Sequence, residues 1–316
     1  MAVAEKPRLD FLTLADGTKI FYRLCRPAQR SNPEVAEPLR PMVVAIHGYT
    51  GNHTSWLPVL ESLEEHGWGT LVFDLRGHGL SAKPLAWRKY SFALFTADFL
   101  EILERLNVSG AAVLGYSAGG AIALQTALRA PTRLKKLILI SANHKNPFFY
   151  WRIGFLSRPA KAGVHFLSWL VGWYKRRTYN FADLRTVGGY WPSVYQGLTS
   201  MPLAVNLRCL ATMGELDLGE SLSAIAQPTL IIRSLHDPLV TEREAEEMVH
   251  RMPKAKLLSL DVGGHWLLTR HAGRLYAIIK EFLEEPPEFL PANRDEPRPV
   301  GKPEKIAFES KGIEGE

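Results

Sequence analysis

Short apolar runs alternate along the chain with longer stretches whose apolar positions recur at helical spacing. Met42 to Ile46, Thr70 to Phe73, Ala111 to Leu114, Leu137 to Ile140, the run opening at Pro228, and Ala255 to Leu260 are nearly continuous in apolar residues. Runs of that length without alternation predict strands buried on both faces, as in a parallel sheet. Trp56 to His66, Phe92 to Leu106, the residues from Gly119 onward, Glu242 to Met252 and Arg274 to Leu283 carry the helical period. Residues 9–24 form two short runs either side of Asp16-Gly17, a hairpin pattern. Strands and helices in this rhythm predict an α/β fold with a mostly parallel sheet covered by helices on both faces.

The rhythm breaks after Asn143 and resumes at Pro228. This divides the chain into a first part of the core (1–143), an inserted helical cap or lid (144–223), a second part of the core (224–284) and a tail (285–316). The tail holds six prolines and mixed charge with little apolar content, so it is expected to be disordered.

Composition narrows the class. At 316 residues the chain is long enough for one large core with an insertion, and 46% hydrophobic with 22% charged residues is the balance of a globular protein. Cys25 and Cys209 have no metal-ligand or redox spacing, which fits free thiols and a cytoplasmic setting. The N-terminus lacks the apolar core of a signal peptide, and no apolar run is long enough to span a bilayer. No metal or cofactor is called for: there is no His-Glu-x-x-His, no paired cysteines, and no Gly-x-Gly-x-x-Gly opening a helix after a strand.

The densest chemistry lies at Gly115-Tyr-Ser-Ala-Gly119, where an apolar strand stops and a helix of small residues begins. A sharp strand-to-helix turn strains the serine backbone and requires small neighbours, and it lifts Ser117 clear of the sheet. The N–H of Ala118 then heads a helix, where developing negative charge is stabilised. A serine hydroxyl is a weak nucleophile at neutral pH and needs a base, which histidine can supply, oriented in turn by a carboxylate.

Four motifs occur in one order: His47-Gly48, Asp74-Leu-Arg-Gly-His-Gly-Leu-Ser81, Gly115-Tyr-Ser-Ala-Gly119, and Asp237 followed by Gly264-His265. In this the chain resembles the α/β-hydrolase superfamily over residues 9–284 apart from the insertion, in the branch of monoacylglycerol lipases and carboxylesterases. The resemblance implies a Ser117, Asp237, His265 triad, with the Tyr49 and Ala118 N–H groups as the oxyanion hole. His236 and His271 compete as bases and Asp261 as the acid, although each is less well placed along the chain. Three residues before the acid, where the family has glycine, this chain has Ser234. His47, Asp74, Arg76 and His78 are expected to order loops rather than to react.

Charge changes the picture only in the insertion. Residues 144–208 hold nine Lys or Arg and a single acid, Asp183, in a chain whose net charge is +6, together with four of the eight tryptophans. Within it Gly163 to Tyr174 is apolar around most of a helix and bracketed by Lys161 and Lys175-Arg176-Arg177. That pattern fits a cap helix over the active site and also peripheral contact with an anionic membrane surface. Trp169 and Trp173, with Trp266 beside His265, are expected to line the substrate site. Nucleic-acid binding is disfavoured because bulky apolar groups interrupt the cations and no nucleic-acid motif accompanies them.

An apolar, aromatic wall over a serine nucleophile points to a serine hydrolase for esters with a hydrophobic acyl chain. Three other readings share the layout: a carbon–carbon bond hydrolase of ring-cleavage products, a cofactor-free perhydrolase and a non-catalytic receptor. A dehalogenase or epoxide hydrolase is disfavoured, since those relatives carry aspartate where this chain has Ser117.

Overall fold

The structure, a computed structural model, describes residues 5–27, 41–146, 163, 166–167, 170, 195–197 and 199–286. Its frame is one eight-stranded sheet built from β1 (Arg8–Thr13), β2 (Lys19–Cys25), β3 (Val43–Ile46), β4 (Thr70–Phe73), β5 (Ala111–Tyr116), β6 (Leu134–Ile140), β7 (Thr229–Ser234) and β8 (Ala255–Leu260). The spatial order is β1-β2-β4-β3-β5-β6-β7-β8. β1 and β2 pair antiparallel as the Asp16-Gly17 hairpin predicts, with Gly17 at φ 82°, and β2 pairs antiparallel with β4. The pairings from β4 through β8 are all parallel.

Alternation along each strand sorts the core into two layers. Val44, Ile46, Val113, Leu139 and Ile231 face the layer that receives α2 (Phe92–Arg105), α3 (Ala118–Arg129) and α5 (Glu242–Arg251). Val43, Ala45, Leu114, Ile138 and Ile232 face α1 (Leu57–Glu65) and α6 (Ala272–Glu284). A central strand buried on both faces reads as a continuous apolar run because each layer takes every second residue.

Element ends depart from the sequence pattern for local reasons. The helix expected from Trp56 opens instead with a 3-10 turn over His53–Trp56, because the Asn52 side chain accepts from the Thr54 N–H at 2.9 Å. The α-helix proper starts at Leu57 with Pro58 in its first turn, where the missing N–H costs nothing. β6 begins at Leu134, three residues before its apolar run, since pairing with β5 extends through Lys136.

Of the stretch assigned to the insertion, residues 147–162 and most of 164–194 and 198 lie outside the described residues, and so do Trp169, Trp173 and Lys175 to Arg177. Phe166, Leu167 and Leu170 are exposed. α4 (Leu203–Met213) follows, and Val205, Cys209, Leu216, Leu218 and Leu222 join the same apolar cluster as the sheet. The tail from residue 287 also lies outside the described residues. No helix among those described is long and apolar enough to cross a membrane, and Cys25 and Cys209 are free and buried.

Candidate active site

Ser117 stands between the end of β5 and the start of α3 with φ 52° and ψ −120°, a left-handed conformation that costs a non-glycine residue about 1–3 kcal/mol. The surroundings hold it there: its N–H donates to Ile140 O at 2.9 Å. A Cβ on Gly119 would stand 2.4 Å from Ile46 O, and one on Gly120 2.3 Å from the Ala142 Cβ. A Cβ on Gly115 would press to 2.6 Å from the Gly120 Cα. These glycines are therefore set by close backbone approach, which lets a helix start directly against the sheet.

The structure brings three of the sequence-predicted residues into one array. His265 Nε2 is 3.1 Å from Ser117 Oγ, and His265 Nδ1 is 2.9 Å from Asp237 Oδ2 and 3.0 Å from Oδ1. Since a carboxylate only accepts, the proton is on Nδ1, and Nε2 presents its lone pair to the serine hydroxyl. Burial pushes the Asp237 carboxyl up, but the His265 hydrogen bond and charge and the Leu239 N–H outweigh it and hold it below its ordinary value. Asp237 Oδ1 accepts from the N–H groups of Leu239 and Val240 at 2.9 and 3.1 Å, which fixes the loop after β7.

The competing residues do not join. His236 and Asp261 are exposed and pair with each other at 3.2 Å, and His271 heads α6.

The Tyr49 backbone is carried to the elbow by Gly48, where an added Cβ would lie 3.0 Å from the Ser117 Cβ. His47 orders this turn. Its Nε2 accepts from the Leu75 N–H at 3.0 Å while Nδ1, 2.8 Å from Gly48 O, donates. The Tyr49 hydroxyl reaches Asn206 O in α4 at 3.1 Å, tying the loop to the insertion. Ala118 is the first residue of α3, so its N–H has no acceptor within the helix.

Two positioning residues escaped the sequence reading. The Tyr116 hydroxyl donates to His265 O at 2.8 Å, so the residue before the serine pins the histidine loop. Ser234, in the place of glycine, donates its hydroxyl to Val262 O and accepts from the His236 N–H at 3.0 Å, clipping the acid loop to the histidine loop. The departure from glycine marked the position of Ser234 but not its bonds, and nothing in the pattern around Tyr116 marks a bond 149 residues away.

A partly open cleft adjoins the array. Its wall includes Tyr49, Ala118, Leu75, Phe95, Ile122 and Met213. Trp266 lies edge-on to His265 with ring centroids 6.0 Å apart and is not part of that wall. The phenylalanines of the described wall, Phe92 and Phe95, come from α2, an element the sequence reading treated only as a cover for the sheet.

In the loop after β4, Asp74 and Arg76 are structural. Arg76 is fully buried, bidentate to Asp98 of α2 at 2.7 and 2.9 Å, and also bound to Asp16 and Thr18 of the hairpin turn. No group of three or more His, Cys, Asp or Glu among the described residues could hold a metal.

A serine on a strained elbow, a histidine within hydrogen-bond reach and a carboxylate behind it define the geometry of a serine hydrolase site on an α/β sheet. The family described as alpha/beta hydrolase fold matches residues 41–272, and the chain belongs to it. It is 28% identical to pimeloyl-[acyl-carrier protein] methyl ester esterase of Aliivibrio salmonicida over 78% of this chain and 94% of that protein. It is 30% identical to RutD of Stutzerimonas stutzeri, whose name provisionally assigns it carbamate hydrolysis, over 72% of this chain and 86% of that one. Among solved structures, the enol-lactonase of Burkholderia xenovorans superposes with a TM-score of 0.65 at 21% identity, covering 87% of this chain and all of its own; that likeness shows the fold alone.

Proposed function

We propose that the protein is a serine ester hydrolase for substrates with a largely apolar acyl group, acting through Ser117, His265 and Asp237. The continuous Ser117–His265–Asp237 hydrogen-bond path carries this reading. Ser117 Oγ attacks the ester carbonyl as His265 Nε2 takes its proton, and the resulting oxyanion is received by the N–H groups of Tyr49 and Ala118. His265 returns the proton to the departing alcohol, leaving an acyl-serine. Water then attacks the acyl-serine, giving its proton to His265, and the carboxylic acid leaves as Ser117 recovers its own. Asp237, ionised and buried, keeps the imidazole in the required tautomer and stabilises the imidazolium. The apolar wall of Leu75, Phe95, Ile122 and Met213 supports an acyl chain over a charged group, and the likeness to a methyl ester esterase supports an ester over other acyl compounds.

The test is hydrolysis of p-nitrophenyl esters of increasing acyl length by the protein and by Ser117→Ala. Turnover that rises with chain length and falls by a factor on the order of 10^4 or more in the variant is expected. Ordinary turnover by Ser117→Ala would remove the assignment.

A further inference from the structure

The cleft beside Ser117 holds one polar group that neither the triad nor the loops account for. His78, 2% exposed, lines the cleft together with Tyr49 and Ala118. Its Nδ1 lies 3.0 Å from Arg76 O, and a carbonyl oxygen only accepts, so the ring proton is on Nδ1. Nε2, on the far side of the ring, is then a bare lone pair, buried and without a hydrogen-bond partner among the described residues. Protonation does not relieve it. Burial and the neighbouring His47 push the imidazole down to about 3, so the ring is neutral over the working range.

The contrast with His47 is informative. Its ring centroid is 5.1 Å from that of His78, and it has the same Nδ1 anchoring to a carbonyl, yet its Nε2 accepts from the Leu75 N–H. One of two adjacent histidines is fully used by the fold. The other keeps a buried, unpartnered acceptor on a side chain that lines a mostly apolar cleft. A buried unsatisfied acceptor is costly, and a matching donor recovers that cost.

We propose that His78 Nε2 is a specificity group that accepts a hydrogen bond from an O–H or N–H on the acyl part of the substrate. The preferred substrates are then esters whose apolar acyl group carries one hydroxyl or amide N–H near the carbonyl. This rests on the ester hydrolase reading for the meaning of "acyl", while the hydrogen bond itself is a property of the cleft.

Binding to Ser117→Ala, which retains the cleft, tests it by calorimetry with methyl octanoate, methyl 2-hydroxyoctanoate, methyl 3-hydroxyoctanoate and N-hexanoylglycine methyl ester. At least one donor-bearing ester is expected to bind about tenfold tighter than methyl octanoate. The ratio should fall towards one in Ser117→Ala/His78→Phe, which keeps a ring and removes the acceptor. It should return in part in Ser117→Ala/His78→Gln. If the phenylalanine variant does not fold, the 15N resonance of His78 Nε2 in Ser117→Ala alone reads the same contact, moving with a donor-bearing ester and staying put with methyl octanoate.

Equal affinities for the four esters, a preference that survives His78→Phe, an unmoved Nε2 resonance, or no binding by any of them overturns the proposal. Turnover of p-nitrophenyl esters by the unmodified protein is measured alongside. It separates a failure of this subsite from a failure of the hydrolase reading.

Discussion

Two aspartate–histidine pairs of nearly the same geometry stand at the C-terminal edge of the sheet, and only one of them meets the serine. Asp74 follows β4 and lies 2.8 Å from His53 Nδ1; Asp237 follows β7 and lies 2.9 Å from His265 Nδ1. Asp74 is completely buried, with its oxygens taken by the N–H groups of His53 and Leu80, both at 2.7 Å, and by the His53 ring. Gly79 packs so close that a Cβ there would lie 2.1 Å from Asp74 Oδ2, and its φ is +45°. Asp237 is anchored as firmly, but its histidine sits on a loop and turns its second nitrogen to Ser117 Oγ at 3.1 Å.

A buried carboxylate behind an imidazole is thus a loop clamp in one place and a tautomer lock in the other. What separates them is the third partner and the access of that partner to a cleft. A third pair sharpens the point: the side chains of His144 and Glu244, both fully buried, come only to 3.7 Å, and Glu244 Oε1 accepts instead from the His144 backbone N–H at 3.3 Å.

Breaking the locks should give different signatures. Asp237→Asn keeps the shape but frees the wrong tautomer of His265, and kcat is expected to fall by a factor on the order of 10^4 with stability little changed. A loss below tenfold in ester turnover would show that Asp237 is not the orienting acid.

Asp74→Asn should do the reverse. Burial pushes the Asp74 carboxyl up, yet the charge and hydrogen bond of His53 hold it well below the ordinary carboxylate range, so the folded state depends on the ionised form. The variant is expected to lose about 3 kcal/mol in denaturant unfolding while the folded fraction keeps kcat within a few-fold. Loss of kcat in a stably folded Asp74→Asn would erase the distinction between the two pairs.

The third pair gives the smallest and most specific effect. Burial lifts the Glu244 carboxyl to about 7, above its ordinary value, so between roughly pH 4.5 and 7 the folded state binds more protons than the unfolded chain. That contribution is present in acid and lost as pH rises through 7, with a slope of at most about 1.4 kcal/mol per pH unit. His144, pushed down to about 4 by burial, contributes a slope of opposite sign over part of the same range. Glu244→Gln removes only the first, so the stability of the variant relative to the unmodified protein should climb from pH 5 to pH 7. A pH-independent difference between the two would refute the neutral state of Glu244.

Much of the frame was legible because it rests on local pattern. Apolar runs marked the parallel strands: β4, buried along its whole length, falls at the expected residues, and so does the half-buried edge strand β8, although Lys256 and Ser259 interrupt its run. Ser117 could be read from its own neighbourhood, because the strained turn demands small residues next to it in sequence. Trp266 was expected in the substrate wall from its place beside His265; the structure adds that it packs edge-on against the imidazole, a direction that adjacency in a loop does not give. Tyr116 and Ser234 were missed because their bonds cross from one loop to another.

By itself the sequence determined an α/β sheet, the position of the elbow and the residue types able to activate a serine, since each follows from spacing within a dozen residues. The tertiary structure decided which aspartate meets which histidine, which of two neighbouring histidines keeps a free acceptor, and which helix walls the cleft. Those choices depend on distances between segments dozens to more than a hundred residues apart, which no local period encodes.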